Sequence, residues 1–136
     1  MSNGLTLAPD ASQALEEAQN LCQQANIAIV APEHLLAGAL LVLSGSGVAS
    51  LPGEAQLRSA AFAAQGTSAE PLSTNVMFGS AAREAINFVA REVRRAGGTE
   101  ITAAALAAGT ITSNEVGPMF FSVLGLSRDA LLQAMS

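Results

Sequence analysis

Lysine, tryptophan and tyrosine are absent from this chain of 136 residues, and only one cysteine is present. Without lysine the chain has neither the phosphate-binding loop of nucleotide hydrolases nor a residue for Schiff-base or lysine general-base catalysis. The single cysteine, Cys22, excludes an intramolecular disulfide and favours a cytoplasmic protein. The composition therefore excludes several classes of enzyme, and it does not by itself indicate any reaction.

Charge and long hydrophobic runs are also scarce. Only 12% of the residues are charged, and the formal net charge of −5 argues against a general nucleic-acid binder. The longest apolar run, Leu35 to Leu43, is too short to span a bilayer. Residues 1–9 carry no positive side chain of the kind that begins a signal peptide. We expect a small protein that lies outside the membrane and does not bind nucleic acid.

Alanine and leucine are abundant, and such a composition favours helices over strands. The segment Ile27 to Val30 could be a strand, but no partner strand is evident, so we interpret it as a connector. The segment after Pro32 is apolar on nearly all sides, which is typical of a central, buried helix. The predicted helices, about eight in all, are Pro9 to Ala25, Pro32 to Leu43, Val48 to Leu51, Glu54 to Ala64, Phe78 to Ala96, Thr102 to Thr112, Asn114 to Leu124 and Ser127 to Met135.

The two halves of the chain show an internal repeat at an offset of 71 residues. Under this offset Val30 falls on Ile101, Leu35 on Leu106 and Gly38 on Gly109. The first helices match as well: Ala11, Ala14, Leu15 and Ala25 fall on Ala82, Ala85, Ile86 and Ala96. A run of matches at one offset indicates a duplicated four-helix unit. We expect one all-α domain, with a first repeat at about 7–65, a linker at 66–77 and a second repeat at about 78–135.

The segment Ala11 to Leu41 resembles the first repeat of the N-terminal domain of Clp ATPases. Its signature stands here as Val30, Glu33, His34, Leu35 and Leu36. The second half, Phe78 to Met135, is similar to the second repeat, so the resemblance covers roughly residues 7–135. The second copy has Ala104-Ala105 where the family often repeats Glu-His.

The resemblance implies a protein that binds others and does not catalyse a reaction or use a cofactor. Its partners would be Clp ATPase or protease subunits, adaptors or unfolded client proteins. The protein would act as an adaptor, a regulator or a substrate receptor. The chain would be either a free-standing protein or the front of a longer ATPase. The alternative is a small helical enzyme or ligand-binding protein with an unrecognised site.

Candidate binding residues lie near the start of the second predicted helix and in the segment before Leu124. Glu33, Met119, Phe120 and Phe121 are predicted to contribute to protein binding, with one of the two rings in the core and the other in the core or in a peptide-binding groove. Glu33 alternatively serves only the positive end of its own helix. Some Clp N-terminal domains bind phosphorylated arginine through the motif glutamate of each repeat. We do not expect this here, because Ala104 replaces the second glutamate.

The remaining candidate residues are the histidine and leucines of the motif, the single cysteine and a group of arginines. His34, Leu35 and Leu36 are predicted to be structural, with His34 bonding nearby backbone. His34 and Cys22 provide too few ligands of these types for a zinc site, so no metal is expected. Arg91, Arg94 and Arg95 form either a solvated helix end or a docking patch for an acidic partner.

Overall fold

The computed structural model describes residues 6–45, 53–65, 77–113 and 116–135, which contain seven helices and four two-residue strands. The helices are α1 (Pro9–Gln24), α2 (Pro32–Gly45), α3 (Glu54–Gln65), α4 (Ser80–Arg95), α5 (Ala103–Thr112), α6 (Pro118–Leu124) and α7 (Arg128–Met135). The strands are β1 (Thr6–Leu7), β2 (Ile29–Val30), β3 (Met77–Phe78) and β4 (Glu100–Ile101). The all-α fold class is confirmed, with seven described helices where about eight were predicted. The predicted piece Val48 to Leu51 and linker residues 66–76 lie outside the described residues.

Local capping explains where several of these helices begin. Pro9 and Pro32 occupy the first position of α1 and α2, where the missing N–H of proline costs nothing. The hydroxyl of Thr102 accepts the N–H of Ala105, so α5 begins one residue later than predicted. The hydroxyl of Ser127 accepts the N–H of Ala130, and α7 begins at the next residue, Arg128.

Four short strands pair where the sequence indicated no strand partners. Residues Ile29 and Val30 of β2 pair in parallel with Met77 and Phe78 of β3. In the same way β1 pairs in parallel with β4. The interpretation of Ile27 to Val30 as an unpaired connector was therefore wrong. A two-residue strand shows no alternation, and each partner lies in the other half of the chain, so no local pattern indicated the pairing.

The pairing is reciprocal between the halves. The strand before α1 pairs with the strand after α4, and the strand before α4 pairs with the strand after α1. Helices α1 and α4 also end alike, with Asn26 and Gly97 in the left-handed conformation at φ 57° and 83°. These two residues are 71 positions apart. The arrangement is what a duplicated unit would produce, and the repeat boundaries stay a prediction.

Helix α2 lies at the centre of the molecule. Its residues from Pro32 to Leu40 are all buried, and Leu36 and Leu40 have no exposed surface. They belong to a core that also contains Leu57 of α3, Leu106 of α5 and other apolar side chains of both halves. A smaller cluster joins Leu35 to Cys22 of α1 and Ala85 of α4. Both clusters therefore contain side chains from the two halves. The smaller cluster also packs the start of α2 against α1 and α4.

Candidate protein-binding surface

Glu33 lies in the first turn of α2 and is only 5% exposed. Its Oε2 accepts the backbone N–H of Gly117 at 2.7 Å. Gly117 is the residue that caps α6, so the carboxylate faces the positive ends of two helices. A Cβ atom at position 117 would lie 3.3 Å from the same oxygen, so a glycine leaves room for this approach. The structure thus brings Glu33 next to α6, the helix that carries Met119, Phe120 and Phe121.

Asp10 plays a similar part at another helix start. The backbone N–H of Ala103, the first residue of α5, donates to Asp10 Oδ1 at 3.1 Å. No local sequence pattern indicated this bond, which joins residues 93 positions apart. Two carboxylates of the first half therefore satisfy backbone groups at the beginnings of two helices of the second half.

His34 is fully buried and bonds only nearby backbone in the described structure. Its Nδ1 accepts the N–H of Ala31 at 3.0 Å, which fixes the connector before α2. Its Nε2 is buried and has no hydrogen-bond partner among the described residues. Burial lowers the pKa of His34 because it disfavours the charged ring, and the negative charge of Glu33 opposes this effect. A neutral, enclosed imidazole of this kind fits a structural role, as does the complete burial of Leu35 and Leu36.

Cys22 is buried in α1, with its thiol 3.8 Å from the carbonyl oxygen of Ile29. Burial raises the pKa of the Cys22 thiol to about 12, so the thiolate needed for nucleophilic attack does not form near neutral pH. Throughout the described ranges, no three His, Cys, Asp or Glu side chains lie together in a way that could hold a metal ion. The side chains of Cys22 and His34 are thus both enclosed.

Both phenylalanines of α6 are buried, so neither ring is free on the surface. Phe120 has no exposed area and Phe121 is 8% exposed, and their rings meet edge to face at 5.7 Å between centroids. The guanidinium of Arg128 lies 5.3 Å from the Phe121 centroid and donates to the carbonyl of Val116, which covers the second ring. Met119, in contrast, is 53% exposed, and Val123 lies one turn further along the helix with its side chain also exposed. We call this pair, Met119 and Val123, the α6 surface.

Apolar surface is also present at the two strand pairs. Ile29 and Met77 are direct register partners in β2 and β3, and both are exposed. At the other pair, Leu7 and Ile101 line an apolar cavity of about 460 Å³ together with Ile86 of α4. Sequence analysis missed both features because it did not foresee the strands that position them. None of the described helices is long and apolar enough to cross a membrane.

Comparison with known proteins identifies the fold. The structure is similar to the N-terminal domain of the caseinolytic protease-associated chaperone ClpD from Arabidopsis thaliana, with a TM-score of 0.75 and 18% identity. The match covers 95% of this chain and 94% of that domain. A chain from a structural study of a malarial protein secretion system matches with a TM-score of 0.69 and 16% identity over 95% of this chain and 91% of its own.

By sequence, no family model matches this chain. No curated protein matches it either. The structural matches show that the chain has the fold of a Clp N-terminal domain, as the resemblance implied.

Proposed function

We propose that this chain is a protein-binding module of the Clp chaperone and protease system that has no catalytic activity of its own. In this role it contacts Clp ATPase or protease subunits, adaptors or unfolded client segments as an adaptor, regulator or substrate receptor. The observation that carries the proposal is the extent of the match to the ClpD domain, which includes nearly the whole of both chains. A cytoplasmic location is part of the proposal, because a lone cysteine favours a reducing compartment.

The placement of the polar groups supports a binding role over catalysis. Cys22 and His34 are enclosed, and Glu33 accepts a backbone N–H at a helix start. An enzyme needs a nucleophile, acid or base that reaches its substrate, with a pKa suited to the reaction. The exposed side chains singled out above, at the α6 surface and the strand pairs, are apolar and include two methionines. Such side chains are suited to contact with another protein.

The α6 surface is our proposed docking site for a Clp partner. Met119 and Val123 supply the exposed apolar contact, while the buried Phe120 and Phe121 hold α6 against the core. Glu33 fixes the start of the same helix through Gly117. The four residues suggested by the sequence therefore act together in this proposal, with Met119 as the one in direct contact and the others as its support.

Binding to a purified Clp ATPase of the same organism tests the proposal. The chain is immobilised, and retention of the ATPase and of its associated protease subunit is measured for the wild type and for Met119→Ser/Val123→Ser. We expect the wild type to retain the ATPase and the double variant to lose most of this binding. Ile29→Ser/Met77→Ser removes a similar amount of apolar surface at β2 and β3 and serves as the matched control.

Three results would contradict the proposal. Failure of the wild type to bind any Clp ATPase or protease subunit would exclude the Clp role. Loss of binding in the β2–β3 control with the α6 variant unaffected would exclude the α6 surface. Hydrolysis of ATP or of a peptide by the purified chain, with the same rate in independent preparations, would argue against a role without catalysis.

A further inference from the structure

Basic charge is concentrated on one helix of this acidic chain. Four of the six arginines lie on α4, and three of them, Arg91, Arg94 and Arg95, fall in its last two turns. All three are exposed. The other two arginines have local partners, since Arg58 pairs with Glu54 and Arg128 donates to the carbonyl of Val116. The end of α4 is therefore a localised positive patch on a chain with a net charge of −5.

An apolar groove of about 280 Å³ lies beside this patch, between α4 and α5. Its α4 side includes Phe88 and Val93, and its α5 side includes the small residues Ala105 and Ala108. The two helices approach closely at Gly109, where a Cβ atom would lie 2.4 Å from a methyl carbon of Val89. The groove is open to solvent above this contact.

Two of the three arginines contact residues that line the groove. The guanidinium of Arg91 lies 6.0 Å from the centroid of the Phe88 ring, within cation–π range. Arg95 pairs at 3.2 Å with Glu92, which also lines the groove, and this pair is largely exposed. Arg94 has no ion-pair partner in the described part of the chain. Positively charged side chains thus lie along one rim of the apolar groove.

The two halves differ in sequence at the start of their second helices, α2 and α5. Under the offset of 71 residues, Ala105 corresponds to His34. The His34 ring is completely buried and fills its position, whereas Ala105 is only partly buried and has a single methyl group. The alanine in the second copy of the motif leaves space that a histidine would occupy.

We propose that the α4–α5 groove binds an acidic helical segment of a partner protein, with apolar side chains in the groove and carboxylates on the arginine rim. This proposal rests on the proposed protein-binding function and adds the chemistry of one bound partner. A groove between two helices is suited to a third helix that presents apolar anchors at i and i+4. The arginine rim provides charge complementarity, which selects acidic partners and excludes basic ones.

Synthetic peptides of defined charge test the proposal directly. The first peptide is a fluorescently labelled amphipathic helix with leucine at i and i+4 and glutamate at the flanking positions. In a second peptide lysine replaces each glutamate, and in a third serine replaces both leucines. Fluorescence anisotropy with the full chain should show binding of the first peptide and at least about fivefold weaker binding of the other two, since both charge and apolar contact contribute. Added salt should weaken binding of the first peptide because the rim charges are exposed.

Variants of the chain locate the binding site. Arg91→Ala/Arg94→Ala should weaken binding of the first peptide by about fivefold, in line with two exposed ion pairs. Arg83→Ala removes an exposed charge from the first turns of the same helix and should leave binding unchanged. Ala105→Phe should block the groove without changing any charge. Thr112→Phe, at an exposed position of the groove, is a second blocking variant in case Ala105→Phe does not fold.

The outcomes separate this proposal from the broader one. Equal binding of the acidic and basic peptides, or full binding by both groove-blocking variants, would overturn the groove assignment. Self-association of the wild type that Arg91→Ala/Arg94→Ala abolishes would show that a second copy of this chain occupies the groove, and would also overturn it. Retention of a Clp ATPase together with failure to bind the acidic peptide would leave the proposed function in place and refute only this inference.

Discussion

Gly38 lies where α2 packs closely against the backbone of α1. A Cβ atom at this position would be 2.5 Å from the carbonyl oxygen of Ala14 and 2.9 Å from the backbone nitrogen of Ala18. Both atoms belong to the backbone of a helix, which cannot shift as a flexible side chain can. The absence of a side chain at one residue therefore sets the distance between two helices.

Substitution of Gly38 by alanine should lower the free energy of unfolding by about 1–3 kcal/mol, the usual cost of overpacking, despite the better helix propensity of alanine. Gly45→Ala is the matched control at the end of the same helix, because no atom lies within 4 Å of the Cβ it would add. Urea denaturation of both variants measures the difference. Equal stability of Gly38→Ala and wild type would show that the helices are further apart than described.

His34 should make stability depend on pH. The pKa of its buried ring is lowered in the folded chain, whereas the unfolded chain has the ordinary imidazole pKa of about 6.5. Below that pH the unfolded state binds the proton more readily, so the free energy of unfolding falls as pH decreases. The contribution is constant above about pH 7.5, where the ring is neutral in both states.

Denaturation at a series of pH values between about 7.5 and 5.5 tests this prediction. The wild type should lose stability through this interval. His34→Asn, whose amide oxygen can accept the N–H of Ala31, should show a flatter dependence. An identical slope in both proteins would assign the effect to another group.

Helix α2 has a first turn that is fixed by local contacts, and the rest of the helix is apolar. Pro32 sets its first position, the connector at Ala31 is tied to His34, and Leu36 and Leu40 extend into the main core. Leu41 lies on the less buried side of the same helix. The helix thus contributes to stability through burial on most of its surface, as its sequence predicted.

Leu36→Ala and Leu40→Ala should each lower the free energy of unfolding by about 2–5 kcal/mol, because a fully buried leucine loses both transfer energy and packing. Leu41→Ala, at a partly exposed position of the same helix, should cost clearly less. Equilibrium denaturation by urea gives all three values. Losses below about 1 kcal/mol at positions 36 and 40 would contradict the central position of α2.

In the molecule as a whole, the two halves are joined by more than apolar packing. Strands β2 and β4 each pair with a strand that precedes the other half's first helix. The carboxylates of Asp10 and Glu33 accept backbone N–H groups of Ala103 and Gly117. These bonds fix the direction in which α5 and α6 begin, which nonpolar contacts alone do not determine.

Removal of the Glu33 carboxylate should therefore destabilise the whole domain. We expect Glu33→Ala to lower the free energy of unfolding by about 1.5–3 kcal/mol, the range for a hydrogen bond to a charged group whose buried partner is left unsatisfied. Glu33→Gln keeps an acceptor oxygen and should cost less. Denaturation measures both, and unchanged stability in Glu33→Ala would indicate that Gly117 does not depend on this bond.

Local sequence patterns were sufficient to predict the fold class, most helix boundaries and the burial of α2. These follow from local causes, namely helix propensity, apolar periodicity and capping residues such as Pro32, Thr102 and Ser127, which act within one or two turns. The motif from Val30 to Leu36 also indicated the Clp-type fold that the structural matches show.

Contacts between distant residues became visible only in the folded chain. The strand pairs, the bond from Glu33 to Gly117 and the groove at Ala105 each join segments of the chain that are far apart or not adjacent. The structure also shows that both Phe120 and Phe121 are buried. Adjacent residues point to different sides of a helix, and the Phe121 ring is covered by Arg128 of α7. The local sequence limits which secondary structure each segment can form. The exposure and the hydrogen-bond partners of its side chains depend on what packs against it from elsewhere in the chain.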